Sequence, residues 1–191
     1  MMLSLWKVAA VLGFSVSAFA GPLRVTTVVG PGQSTHGGSD RCVKPAADYH
    51  RVNASVLLAI LRIESGLSAS FGVPNDNGSV DHGIAGINSV NLPELARYGI
   101  DEEMLKDDCV STYVAAWYLR RKIEKHGQTW AGVASYHSAT PYYNARYQLL
   151  VYNEMVRMGA IKGDLKPVPP VKPAPALLMA YDDIVQKGGK F

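Results

Sequence analysis

Hydrophobic side chains recur at helical spacing through the middle of the chain. Between about residues 42 and 161, apolar positions three and four residues apart are interrupted by turns rich in Gly, Asn and Asp, and few segments alternate as a strand does. This pattern predicts four helices, at about 53–66, 108–127, 130–136 and 141–159. The predicted fold class is therefore mainly α, in a single domain over 42–161.

Capping residues mark the ends of these helices. Asn53 and Thr129 are good N-caps, and Gly127 and Gly159 stand where helices are expected to end. The sequence at 74–81 is typical of turns and reads Pro-Asn-Asp-Asn-Gly-Ser-Val-Asp. We interpret that segment as a loop at the rim of a cleft.

The N-terminal 41 residues follow a different pattern. Lys7 precedes an apolar stretch over 8–16 and then Ala18-Phe19-Ala20, which predicts a signal peptide over 1–20 with cleavage after Ala20. An uncleaved membrane anchor is the alternative, although the apolar stretch is short for a bilayer span. Residues 21–41 are rich in Gly, Ser, Thr and Pro, so we expect a flexible leader.

The C-terminal residues 162–191 contain a Pro-rich tract, Lys166–Pro175, followed by apolar residues at helical spacing. The tract favours polyproline II and is not expected to form a packed core. A flexible Pro-rich tail is therefore predicted, with a short amphipathic helix near its end as the alternative.

Composition narrows the classes of function. Of 191 residues, 48% are hydrophobic and 18% charged, which is typical of a globular domain. The net charge of +3 comes from scattered basic residues, and no run of them indicates a nucleic-acid surface. We therefore expect no nucleic-acid partner, and no stable membrane span once the signal peptide is removed.

The chain has two cysteines, Cys42 and Cys109. Export would place them in an oxidising compartment, where we expect a disulfide; two buried free thiols are the alternative. Two cysteines alone cannot form a four-ligand zinc site, and neither a metal nor another cofactor is expected.

One carboxylate, Glu64, falls within the apolar arc of the helix predicted over 53–66. Burial of an unpaired carboxyl is costly and raises its pKa, and a carboxyl that keeps its proton near neutral pH can act as a general acid. Cleavage of a glycosidic bond requires such an acid. The alternative is a structural ion pair, for which Arg62, Arg120 and Arg121 are the candidate partners.

Three short motifs then follow in order: Ile-Glu-Ser-Gly-Leu at 63–67, Gly-Ile-Ala-Gly-Ile-Asn at 83–88 and Ser-Tyr-His-Ser at 135–138. In this order and spacing the chain resembles the soluble lytic transglycosylase superfamily over about 42–158. The cysteine positions and the loop Asn-Gly-Ser-Val-Asp at 77–81 are similar to the specialised transglycosylases of conjugation, secretion and type IV pilus systems. The resemblance implies a lysozyme-like fold of the goose type.

The resemblance also implies a reaction on peptidoglycan. Glu64 would donate its proton to the oxygen that links N-acetylmuramic acid to N-acetylglucosamine. The same carboxylate would then accept the proton of the muramic C6 hydroxyl, which attacks the anomeric carbon and leaves a 1,6-anhydro end. One carboxylate could thus suffice where ordinary glycosidases use two. The implied location is the periplasm, where the enzyme would open the wall for an envelope-spanning machine that contacts the C-terminal tail.

Supporting roles are implied for three further residues. Ser65 would orient the carboxylate or bind substrate, Tyr136 would hold the acid through a hydroxyl hydrogen bond, and Asn88 would shape the cleft. Ser65 could instead be a polar residue of the helix end, and Asn88 a turn or cap residue.

The motifs depart from the family at two places. Ala85-Gly86 stands where the family usually has Met-Gln, so a substrate-facing amide is absent, and His137 replaces an asparagine. His137 is expected to bind glycan or titrate, or else to be a hydrogen-bonded structural residue. Asp81 could support a water as a base, or could satisfy nearby backbone amides.

Two other functions stay open on these residues. A base at Asp81 would make the protein a lysozyme-like hydrolase that leaves reducing ends. The Ala85-Gly86 departure and the tail are also compatible with a weakly active glycan-binding assembly factor.

Overall fold

Helices form most of the domain. The computed structural model describes residues 40–65, 73–75 and 77–172. In that part of the chain the α-helices are α1 (Asp40–His50), α2 (Ala54–Ser65), α3 (Leu92–Leu95), α4 (Asp108–His126), α5 (Trp130–Ala134) and α6 (Pro141–Arg157), with 3-10 turns at Ser89–Asn91, Ala96–Tyr98 and Met104–Lys106. The signal peptide, the leader up to residue 39, Gly66 and the segment after residue 172 lie outside the described residues.

The four predicted helices correspond to α2, α4, α5 and α6. Their N-caps act as expected: Asn53 accepts a hydrogen bond from the Val56 amide, and Thr129 accepts one from the Gly132 amide. The predicted domain boundary at residue 42 falls inside α1, which begins at Asp40. The mainly α fold class is confirmed.

Helix α2 lies at the centre of the core and contacts α1, α4 and α6. Leu57, Ile60 and Leu61 on this helix are fully buried. Burial of a side chain of this size contributes about 1.5–3 kcal/mol, so α2 is held firmly in place. None of the described helices is both long and apolar enough to cross a membrane.

A disulfide joins the first turn of α1 to the first turn of α4. Cys42 and Cys109 form the bond, with their Cα atoms 5.4 Å apart, and the predicted pairing is confirmed. The bond closes a long loop of the chain that contains the whole of α2. This cross-link restricts the conformations of the unfolded chain more than those of the folded protein.

The described residues of the segment 74–81 belong to a hairpin, whereas a loop was predicted there from the sequence. Strands β1 (Val73–Pro74), β2 (Val80–His82) and β3 (Ile87–Asn88) form an antiparallel sheet in that order. Turn bonds at Asn75 close the hairpin, and Gly78 takes a positive φ of 79° there. In the β2–β3 pair Asp81 lies directly opposite Asn88, so the sheet brings two of the predicted site residues together.

The described part of the Pro-rich tail lies against α6, whereas a flexible tail was predicted. The Asn153 side chain accepts from the Lys166 amide at 2.8 Å and donates to the Lys166 carbonyl at 2.7 Å. Tyr142 and Arg146 donate to the carbonyls of 170 and 169. An extended Pro-rich segment has no internal hydrogen bonds, so its carbonyls are available to polar side chains of a neighbouring helix.

Candidate active site

Glu64 lies in the last turn of α2, beside the fully buried Leu61. Its half-buried carboxyl forms part of the wall of a cavity of about 530 Å³. A cavity of this size is large enough for a small organic ligand. Among the predicted site residues, the cavity is lined by Glu64, Asp81, Asn88, Tyr136 and His137.

Burial raises the pKa of Glu64 from its usual 4.5 to about 7. Desolvation of the carboxyl is the largest cause; a hydrogen bond from Tyr147 lowers the pKa, and the nearby charge of Asp81 raises it. A carboxyl with a pKa in this range exchanges its proton near neutral pH, where an ordinary glutamate is fully ionised. Near neutral pH the Glu64 side chain can therefore be present both as the acid and as its conjugate base.

The three arginines considered as ion-pair partners of Glu64 bind other carboxylates. The pairs are Arg62 with Glu154 at 3.5 Å, Arg120 with Glu124 at 2.7 Å, and Arg121 with Glu94. The structural ion-pair interpretation of Glu64 is thus wrong for these partners. The carboxyl is held by burial and by a neutral hydroxyl.

That hydroxyl belongs to Tyr147, which donates a hydrogen bond to Glu64 Oε1. Tyr147 is buried on α6, and no role in the site was predicted for it from the sequence. Tyr136 was predicted to make this bond, but its hydroxyl donates to the Ala85 carbonyl at 2.9 Å. The sequence contains one signal for this role. Helical spacing places Tyr147 on a buried face of its helix, and a buried tyrosine needs a hydrogen-bond partner for its hydroxyl.

Ser65 does not contact the carboxylate in the structure. Its hydroxyl lies 2.7 Å from the Ile84 carbonyl and 3.2 Å from the Leu61 carbonyl. It therefore ties the end of α2 to the turn over 83–86. In that turn Gly86 has a φ of 57°, and a Cβ there would lie 3.3 Å from Glu64 Oε2. The turn thus leaves Oε2 room on the side where a larger residue would crowd it.

Asp81 accepts hydrogen bonds from side-chain amides. Asn88 Nδ2 lies 2.9 Å from Oδ1, and Asn75 Nδ2 lies 3.2 Å from Oδ2. Both amides also contact the Ser79 hydroxyl, at 2.8 and 3.2 Å. Asn88 in addition caps the 3-10 turn that follows it, by accepting from the Val90 amide. The network fixes the Asp81 carboxylate at the cavity wall.

His137 stacks face to face on Tyr147, with ring centroids 4.8 Å apart and an interplanar angle of 3°. Desolvation lowers the pKa of His137, and the positive charge of Arg146 lowers it further, against the opposite effect of Asp81. The imidazole is therefore neutral near pH 7, with one nitrogen able to donate and one able to accept. It covers the tyrosine that holds Glu64.

Across residues 40–65, 73–75 and 77–172, no group of three His, Cys, Asp or Glu side chains is arranged to hold a metal ion.

Comparison with known proteins places these residues in a family. Residues 41–145 match the protein family described as the transglycosylase SLT domain. Protein IpgF of Shigella flexneri is 35% identical over 106 residues, which is 55% of this chain and 70% of IpgF. Invasion protein IagB of Salmonella typhimurium (strain SL1344) is 31% identical over 100 residues, 52% of this chain and 62% of IagB. The X polypeptide of Escherichia coli is 32% identical over 98 residues, 51% and 58% of the two chains.

Proposed function

Because this chain belongs to the transglycosylase SLT domain family, we propose that it is a lytic transglycosylase with Glu64 as its acid and base. Its substrate is the glycan strand of peptidoglycan, and it cleaves the β-1,4 bond between N-acetylmuramic acid and N-acetylglucosamine. The observation that carries the proposal is a carboxyl with a pKa of about 7 at the wall of a cavity.

The two carboxyl oxygens support a division of roles. Tyr147 donates to Oε1, so the proton of the neutral carboxyl is carried by Oε2, beside Gly86. In the first step Oε2 gives this proton to the glycosidic oxygen, and the bond from the anomeric carbon to that oxygen breaks. The leaving sugar departs with a new hydroxyl, and Glu64 becomes a carboxylate.

In the second step the Glu64 carboxylate takes the proton of the C6 hydroxyl of the same muramic residue. The C6 oxygen forms a bond to the anomeric carbon, and the product is a 1,6-anhydro sugar. Glu64 ends the cycle protonated, so no water is consumed. A carboxyl whose pKa is near the working pH suits both steps, because neither the acid nor the base form is strongly disfavoured.

We propose that His137 and Asn88 contact the sugar rings, since both line the cavity and carry hydrogen-bonding groups. Tyr136 and Ser65 position the 83–86 turn through the Ala85 and Ile84 carbonyls, and Tyr147 positions the acid. The missing side chain at Gly86 is compatible with an intact acid, because it leaves Oε2 open to the cavity.

Asp81 supports a second candidate, a hydrolase of the lysozyme type. Its carboxylate lines the same cavity as Glu64, and two asparagine amides fix its orientation. If Asp81 held a water as a base, the product would carry a reducing end instead of an anhydro end. The two outcomes differ by one water in the mass of the product.

We further propose that the protein works in the periplasm, where it opens the wall for an envelope-spanning machine. The predicted signal peptide supports export, and the likeness to a relative named as an invasion protein supports the link to such a machine. The C-terminal tail is the proposed contact with that machine.

Digestion of purified sacculi, with mass spectrometry of the soluble products, tests the reaction. We expect anhydro-muropeptides from the wild-type protein and none from Glu64→Gln, with the folded state of the variant verified by circular dichroism. Products with reducing ends alone would favour the hydrolase. Unchanged product formation by Glu64→Gln would refute the role of Glu64 in either reaction.

A further inference from the structure

A series of aromatic rings in contact leads from the cavity to the protein surface. Tyr136 contacts Tyr118 edge-on at 5.2 Å between ring centroids, Tyr118 contacts Trp117 at 6.5 Å, and Trp117 contacts Tyr98 edge-on at 5.9 Å. The exposed fraction rises along the series, from 6% for Tyr136 to 41% for Tyr98, with the two rings between them partly exposed. The series therefore begins in the cavity wall and ends in solvent.

The first rings of the series belong to the cavity itself. Tyr118 lines it, and so does Asn91, at the start of the segment 91–98 that includes Glu94 and Tyr98. Arg121 on α4 bonds Glu94 in that segment, and its guanidinium also lies 4.8 Å from the Trp117 ring centroid. These contacts hold the outer rings in position relative to the inner ones.

A cation borders the same rings. Lys122 Nζ lies 4.6 Å from the ring centroid of Tyr118. Arg121 is already engaged by Glu94, whereas Lys122 forms no ion pair with any carboxylate of the described residues. Its charge is thus available to a carboxylate of a bound molecule.

We propose that Tyr118, Trp117 and Tyr98 form an aromatic platform that binds the glycan strand beyond the cleaved bond, and that Lys122 binds a carboxylate of the peptide carried by that strand. This inference rests on the proposed function, since the occupant is the continuation of the strand held in the cavity. It adds a surface outside the cavity and a preference for strands that still carry their peptides.

The chemistry of the strand suits this surface. A pyranose ring presents one face of C–H groups and a rim of hydroxyls, so it can pack on an aromatic ring while its hydroxyls stay in water. The peptides linked to muramic residues carry carboxylates, which a lysine binds as a point charge. Continuity with the cavity favours the polymer as occupant, because Tyr118 lines the cavity and contacts Trp117, which in turn contacts Tyr98.

Binding measurements on the full chain carrying Glu64→Gln test the platform without cleavage. The probes are N-acetylglucosamine oligomers of two and six rings, measured by isothermal titration calorimetry. An aromatic contact contributes about 0.5–1.5 kcal/mol, so we expect Tyr98→Ala to weaken six-ring binding about two- to ten-fold and to leave two-ring binding unchanged. Tyr49→Ala removes an exposed tyrosine of α1 and is the matched control, with no expected effect.

The lysine is tested with a peptide-bearing tetrasaccharide of the wall and with the same tetrasaccharide after an amidase has removed its peptides. An exposed ion pair contributes about 0.2–1 kcal/mol, so Lys122→Ala should weaken binding of the first about 1.5- to five-fold and not that of the second. Lys125→Ala, one turn further along α4 and exposed, is the control.

Two results would overturn the inference. Unchanged six-ring binding in Tyr98→Ala, or an equal loss for both oligomers, would show that the platform does not extend the site. An equal effect of Lys122→Ala on both tetrasaccharides, or none on either, would remove the peptide contact. If the binding tests give these results while sacculi yield anhydro-muropeptides, only this inference fails. If sacculi also yield no cleavage products, the proposed function fails as well.

Discussion

Tyr147→Phe is expected to move the pH dependence of cleavage to higher pH. The substitution removes the hydroxyl that donates to Glu64 Oε1 and keeps a ring of the same shape in its buried position under His137. The lost hydrogen bond favours the carboxylate form, so its removal raises the pKa of Glu64 above its present value of about 7. A hydrogen bond to a charged group contributes about 1.5–3 kcal/mol, which corresponds to a rise of about one to two pKa units.

The direction of the change in rate follows from the first step. In the proposed reaction protonated Glu64 is the reactive form, so we expect kcat/KM of the wild-type protein to decline as pH rises through about 7. In Tyr147→Phe this decline is expected about one to two pH units higher. The maximal rate should be lower, because Oε1 is no longer held by a donor.

The assay is the initial rate of solubilisation of purified sacculi between pH 5 and 10, at several substrate concentrations. Tyr142→Phe is the matched control, because Tyr142 is buried on the same helix but its hydroxyl donates to the Pro170 carbonyl. We expect the control to keep the wild-type pH profile. An alkaline limb that stays in place in Tyr147→Phe, or that moves to lower pH, would refute the reasoning.

Three further changes have defined outcomes. The pKa of Glu64 is 4.5 in its usual environment and about 7 in the folded protein, so its ionisation destabilises the fold as pH rises through that range. The unfolding free energy of Glu64→Gln, relative to that of the wild type, should therefore be up to about 3 kcal/mol higher at pH 8 than at pH 4. Denaturant titrations of both proteins that show no such difference between the two pH values would contradict this. Gly86→Ala should cost about 1–2 kcal/mol and most of the activity, because the new methyl contacts Oε2; Gly99→Ala, also at positive φ but with open space around it, should show the stability loss alone. Replacing both Cys42 and Cys109 by Ser should lower the unfolding free energy by about 4 kcal/mol, and equal denaturation midpoints for variant and wild type would show the prediction to be wrong.

Helices with strong local signals were predicted nearly to the residue. The prediction of 108–127 matches α4 (Asp108–His126), and 141–159 matches α6 (Pro141–Arg157), since apolar spacing, N-caps and terminal glycines all act within a few residues. Helix α1 was missed because it buries mainly small side chains, Val43, Ala46 and Ala47, and contains Pro45. Its position depends on the disulfide and on contacts with α4, which are distant in sequence.

The candidate site, like the fold, contains features that local sequence predicts and features that depend on contacts distant in sequence. Glu64 was singled out because its own helix places it among apolar neighbours and because its motif resembles that of the family. The pairing of Asp81 with Asn88 was not predicted, because it depends on a short sheet where a loop was expected. Tyr147 was missed as the partner of Glu64 because the two residues are 83 positions apart. Tyr136 and Tyr147 both lie near the acid. Only the packing of the side chains decides that the Tyr136 hydroxyl donates to a backbone carbonyl and the Tyr147 hydroxyl donates to the Glu64 carboxyl.

The pKa of the Glu64 carboxyl can be measured in solution. Protein labelled with ¹³C at the glutamate side-chain carboxyls can be titrated by NMR, with the Glu64 resonance assigned by its loss in Glu64→Gln. We predict that the Glu64 resonance titrates near pH 7. Titration of the Glu64 carboxyl near its usual 4.5 would contradict it, because the residue would then hold no proton to give to a glycosidic oxygen at neutral pH.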